Sequence, residues 1–193
     1  MQSGGAELNL GCPDGFRGGA SAAPDWWPVL APDVTVGQLD AAERCETLLQ
    51  DTMDAVRPAP AWQETVPRAG IRLAAPGRSG PEVLWYVTRG RDLLTVVSPG
   101  RRRELADVVE RQWRRRGWTI TSLNAGQDRP GVAASTPEGS RLVLCFGEFG
   151  DIRLTASLLG VACSERIPRL PGAGEPDPAP LPHVHCAYWS ALV

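Results

Sequence analysis

His183-Val184-His185-Cys186 places two imidazoles and a thiol within four residues. On an extended chain the two histidines point the same way, which is half of a zinc site. A third or fourth ligand is not signalled, and these are the only two histidines in the chain. The segment follows a Pro-rich stretch and carries Tyr188 and Trp189. The expectation is therefore a tail that docks through its aromatics, with His183, His185 and Cys186 as weak metal candidates and no cofactor. A Cys/His nucleophile would need Cys186 or Cys163 beside a histidine, an orienting group and an oxyanion hole, and no local signature supplies them. Glu148 and Asp151 flank Gly147 and Gly150. They suit carboxylate chemistry or a cation loop, but a polar turn accounts for them more simply. All 20 basic side chains are arginine, which excludes a Schiff-base lysine and an ordinary P-loop. Neither Gly-x-Gly-x-x-Gly after a strand nor Gly-x-Ser-x-Gly occurs. No catalytic residue is assigned, and the chain reads as non-catalytic.

The run ERQWRRRGW, residues 110–118, mixes arginine and tryptophan as a nucleic-acid groove does. From 89 to 116 there are nine arginines against four acids, so a phosphate-binding face deserves weighing. Local physics gives each residue another task. Leu105, Val108, Val109 and Trp113 share one apolar face, and Arg103/Asp107, Asp107/Arg111 and Glu110/Arg114 are spaced to pair along the other. Arg114–Arg116 lie where the helix dipole favours cations, Gly117 is at the left-handed stop, and Trp118 is the apolar residue that follows it. The net charge of −2 gives no overall basic footprint, so nucleic acid is disfavoured. What remains as a candidate interaction surface is Arg111, Arg114 and Arg115, with Trp26 and Trp27 of the segment PDWWP.

Those residues need elements to hold them. Thr35 and Gln38 form a capping box that opens a helix whose apolar stripe is Leu39, Ala42, Cys45, Leu49, Met53 and Val56, ended by Pro58 and Pro60. IRLAA (71–75) is a short strand, and EVLWYVT (82–88) with DLLTVVS (92–98) are two strands or one long bent strand. Ser98 as N-cap and Pro99 as N1 start the second helix. A meander follows over 118–123, 131–136, 141–147 and 151–163, with Leu142, Leu144 and Phe146 on one face and Ile152, Leu154, Ala156 and Leu158 on one face of the next strand. The order α-β-β-α-β-β-β predicts an α+β two-layer sandwich, a mostly antiparallel sheet of about five strands with two main helices.

Length supports one domain plus tails. The 18 prolines and 21 glycines collect before residue 35, at 58–81 and at 167–182. The boundaries expected are a disordered tail or tether at 1–33, a domain at 34–164, a Pro-rich linker at 165–182 and a docking segment at 183–193. No apolar run approaches the roughly 18 residues of a membrane span. The start MQSGGAELNLGCPDGF has no basic or apolar leader region, so no signal peptide is expected within it. Leu10-Gly11-Cys12 is only a faint lipidation pattern. Five cysteines without C-x-x-C spacing argue against a structural zinc site, and Cys45 and Cys145 are expected to be buried small hydrophobes.

The run WYVTRGRDLLTVVSPGRRRELADVVERQWRRRGWTITSLNAGQDRPGVAASTPEGSRLVLCFGEFGDIRLTASLLGVAC resembles actinobacterial (Streptomyces-like) lipoproteins of unknown function. The likeness extends from about residue 35 onward and includes Val56-Arg57-Pro58, the W-x-x-x-G-W-T-I pattern, the Thr-Pro-Glu-Gly hairpin and HCAYWS. It implies a fold and an envelope location, with membrane anchoring through an upstream lipidation signal. It assigns no activity. A bridge between the first strand and the end of the last strand is typical of such proteins; Cys163 matches its second position, while Ile71 stands at the first. The leading expectation is a non-catalytic binding or structural module of the cell envelope whose partner is a protein or envelope component. The alternative is a cytoplasmic protein-interaction domain.

Overall fold

The computed structural model describes residues 36–73, 83–123, 131–162 and 180–192. The expected tail at 1–33 and most of the linker at 165–182 lie outside these residues. The elements run β1 (Val36–Gly37), α1 (Gln38–Asp54), β2 (Trp62–Glu64), β3 (Arg68–Leu73), β4 (Val83–Leu93), α2 (Pro99–Arg115), β5 (Thr119–Leu123), β6 (Val132–Ser135), β7 (Ser140–Phe146) and β8 (Ile152–Ala162). One eight-stranded sheet has the order β2-β4-β8-β7-β6-β5, with β3 added to β4 and β1 to β8. All pairings are antiparallel except β1 with β8. Both helices contribute to the core cluster formed with the sheet, so the fold is the expected α+β two-layer sandwich.

The strand count of eight exceeds the expected five, and β1 and β2 are among the additions. β1 and β2 are too short to carry a pattern, and they exist through pairing with distant residues: Val36 with Val161, and Trp62 with Leu93. The segment from 83 to 93 is one strand, with Arg89-Gly90-Arg91 in register against Ala156-Thr155-Leu154. Pairing with β1 also moves the start of α1. Gly37, held extended, is the N-cap in place of the Thr35 capping box, and Thr35 itself is outside the described residues. The buried stripe of α1 is Gln38, Ala41, Cys45, Leu49, Thr52 and Met53, so Leu39 faces water at 68% exposure.

The end of α2 follows the sequence closely. Gly117 has φ of +75°, its N–H donates to the Arg114 carbonyl at 3.0 Å, and the Trp118 N–H donates to the Trp113 carbonyl at 3.0 Å. Those two bonds define a Schellman motif, and the indoles of Trp113 and Trp118 meet with centroids 6.3 Å apart. Trp113 is fully buried, and its Nε1 donates to Thr52 Oγ1 of α1 at 3.0 Å, tying the helices together. ERQWRRRGW is the end of a helix.

Alternation divides the sheet residues between two faces. Val87, Leu93, Val132, Ala134, Leu142, Leu144, Phe146, Ile152, Leu154, Ala156 and Leu158 face the helices and belong to the core. Arg141, Val143 and Cys145 of β7 point to the opposite face, as do Arg153, Thr155, Ser157 and Leu159 of β8 and Ala133 of β6.

Candidate functional site

The C-terminal segment is part of the domain. The Thr95–Val184 bridge continues the backbone pairing beyond β4, with the Val184 N–H donating to the Leu94 carbonyl at 2.8 Å and the Val96 N–H donating to the Val184 carbonyl at 2.9 Å. Trp189 is 1% exposed; its Nε1 donates to the Pro58 carbonyl at 2.7 Å, and its carbonyl accepts the Ser98 N–H at 2.9 Å. Tyr188 meets Trp189 edge to face at 4.9 Å and lies beneath the Arg101 guanidinium, 4.3 Å from the ring centroid. Its hydroxyl donates to Glu104, which Arg101 also contacts at 2.6 Å. Ser98 is the N-cap of α2, but its hydroxyl donates to the Ala191 carbonyl at 2.6 Å instead of capping the helix. The docked tail has taken over the cap's side chain.

That arrangement sets charge states. The Tyr188 hydroxyl bond, followed by the Arg101 bond, holds the Glu104 carboxyl below its usual range, and the same bond raises the Tyr188 phenol. What Glu104 contributes is present above its ordinary range and lost as pH falls through its lowered value. The Tyr188 contribution is present below the ordinary phenol range and lost as pH rises through the raised value.

His183 and His185 are exposed on either side of Val184, and Cys186 is half-buried with a free thiol. His183 Nδ1 is 3.2 Å from the Leu181 carbonyl, and the Cys186 N–H donates to Ser190 Oγ at 3.0 Å. Among the described residues no group of three or more His, Cys, Asp or Glu could hold a metal. Glu148 and Asp151 lie in the turn between β7 and β8, where the Gly147 N–H donates to the Asp151 carbonyl at 2.7 Å. Cys163 lies outside the described residues.

The cysteines differ in chemistry. Cys45 is fully buried on α1, and burial pushes its thiol up to about 12. The stability linked to its proton is complete below its ordinary value and is lost as pH rises toward about 12. Native alkylation at about pH 8 should label Cys186 and spare Cys45 until denaturant is added, because the thiolate is the nucleophile. Peptide mass spectrometry checks this, and equal labelling of the two would contradict it. Cys145 departs from its expected role: it is half-buried and disulfide-bonded. A β-strand side chain on the face away from the helices is available to a partner from elsewhere in the chain.

A cluster that the sequence did not announce lies on β4. Arg91 is buried, contacts Glu46 of α1 and Glu64 of β2, the latter at 3.5 Å, and stacks on Trp62 at 4.7 Å. Arg89 reaches the same Glu46 at 3.4 Å. On the opposite face Asp92 receives both Nε and Nη2 of Arg153, at 2.6 and 3.0 Å. Every charge has an opposite partner, so the cluster fixes β4 between its neighbours and offers no spare acid, base or ligand.

The outer face of α2 is different. Of the three expected pairs only Glu110–Arg114 closes, at 2.8 Å, and Arg116 turns to Asp51 of α1 at 2.8 Å. Arg103, Arg111 and Arg115 are exposed without an ion-pair partner among the described residues. Trp26 and Trp27 lie outside the described residues, so nothing here brings them to Arg111, Arg114 or Arg115. No described helix is long and apolar enough to cross a membrane. Comparison with protein-family models, curated proteins and solved structures returns no match.

Proposed function

We propose that this chain is a non-catalytic binding or structural module of the cell envelope. The observation that carries this reading is the disulfide at Cys145. Such bonds persist in oxidising surroundings and are rare where glutathione and thioredoxin keep thiols reduced. The resemblance to envelope lipoproteins points the same way. The surface offered to a partner is the outer face of α2, where Arg103, Arg111 and Arg115 would meet an anionic envelope component through charge-assisted hydrogen bonds.

Cell fractionation with thiol counting tests the reading. The protein should sit in the envelope fraction and, denatured without reductant, show three free thiols, since one bond consumes two of the five cysteines. A chain in the cytosol with five free thiols would overturn it in favour of the cytoplasmic interaction domain.

A further inference from the structure

The two helices cover one side of the sheet with opposite charge. α1 carries five acids against one arginine, whereas α2 carries six arginines against three acids. Pairing inside the chain uses only part of each set. Glu46 and Asp51 are engaged by Arg89, Arg91 and Arg116, Glu104 by Arg101 and Tyr188, and Glu110 by Arg114. Exposed without an ion pair among the described residues are Asp40, Glu43 and Asp54 on α1, with Arg44 beside them, and Arg103, Arg111 and Arg115 on α2. Asp107, half-buried, offsets one of those arginines. At about 3.6 residues per turn, the three acids fall within about 60° of one another around α1 and the three arginines within about 120° around α2. At about 1.5 Å per residue the acids span roughly 21 Å and the arginines roughly 18 Å. The two stripes match in length.

That pattern decides what the layer meets. An anionic membrane or polyanion drawn to α2 would be repelled by the acids of α1 in the same layer. A partner must carry both signs in the matching arrangement, and a second copy does. The helix ends set the geometry. Trp113 bonds Thr52 and Arg116 bonds Asp51, so the helices converge at their C-terminal ends. A two-fold axis along the direction of convergence lays α1 of each copy over α2 of the other, start against start. Leu39, 68% exposed, lies in the first turn of α1. Phe149, 77% exposed, precedes Gly150, which packs on Arg102 in the first turn of α2. The same axis therefore brings Leu39 of one copy to Phe149 of the other, an apolar anchor among the charges.

We infer that the chain forms a two-fold dimer through its helical layer, with Asp40, Glu43 and Asp54 of each copy facing Arg103, Arg111 and Arg115 of the other. The inference rests on the reading of α2 as a binding face and names the acidic surface that this face takes.

Sedimentation of the purified full chain, with free thiols capped, tests it. At roughly 100 μM and low salt the chain should sediment as a dimer, and raising the salt from about 0.05 to 0.5 M should weaken the dimer at least tenfold. Two charge-reversed variants sharpen the test. One carries Asp40→Arg, Glu43→Arg and Asp54→Arg; the other carries Arg103→Glu, Arg111→Glu and Arg115→Glu. Each alone should be monomeric, since like charges then face each other. Mixed in equal amounts they should dimerise again, because every reversed stripe meets a stripe of opposite sign, and misfolded variants could not do that. A monomeric wild type, a reversed variant that still dimerises alone, or a mixture that stays monomeric overturns the dimer. A monomeric wild type that pellets with phosphatidylglycerol vesicles would also overturn it and give α2 to a membrane. Fractionation reads the envelope location separately, so a monomer found in the envelope fraction sinks the dimer and leaves the module reading standing.

Discussion

Trp113→Ala is expected to cost about 3–5 kcal/mol of folding stability, whereas Arg115→Ala, two residues away, should cost under about 0.5 kcal/mol. The contrast follows from position on one helical turn. Trp113 is fully buried, and truncating it opens a cavity in the core where α2 meets Thr52 of α1. It also leaves the Thr52 hydroxyl without the indole N–H and removes the Trp118 contact that accompanies the Schellman turn. Arg115 is exposed and has no ion pair among the described residues. Urea unfolding of the two variants with equal m-values would measure the difference. Small, equal effects would mean that the tryptophan of ERQWRRRGW is a surface residue.

Trp189→Ala should be comparably severe, about 3–5 kcal/mol, or roughly 10 °C in melting temperature for a chain of this size. The indole is a core residue delivered by a segment that follows the whole sheet. Its loss also unpairs the Pro58 carbonyl and loosens the contacts of Ser190 with Val96 and of Ser98 with Ala191. Deleting 183–193 should lower the melting temperature at least as far. Zinc added to the intact chain should leave it unchanged, because the exposed His183 and His185 have no further ligand gathered around them among the described residues. A large zinc-dependent rise would make His183, His185 and Cys186 a metal site, and an unchanged melting temperature on deletion would contradict the docking geometry.

What could be read from the sequence was whatever local chemistry decides. Gly117 stops α2 because only a left-handed residue completes that turn, and the alternation of Leu142, Leu144 and Phe146 assigns a strand and its buried face at once. What could not be read was set by residues far away in the chain. Val36-Gly37 is a strand only because Val161-Ala162 is beside it, and that pairing displaces the N-cap from Thr35 to Gly37. Arg89-Gly90-Arg91 looks like a bend, since arginine and glycine are poor strand residues, yet Glu46 makes the charges tolerable inside one continuous strand. Cys145 sits in an apolar-looking run, and spacing within that run carries no sign of a bonding partner. The exposed arginines of α2 were legible as a face; the partnering of Arg114 and Arg116, which reduces its free charge, depended on where α1 packs.

The placement of Trp189 also orders events during synthesis. The indole that bonds the Pro58 carbonyl and completes the core is translated 27 residues after β8 ends at Ala162. Until it emerges from the ribosome, both helices and all eight strands exist as sequence while their shared interior lacks one wall. A nascent chain therefore keeps apolar surface open to chaperones or to a translocation channel for longer than a fold completed by its last strand. Were the chain exported, as the proposed envelope role requires, that delay would keep it threadable until its last residues are made.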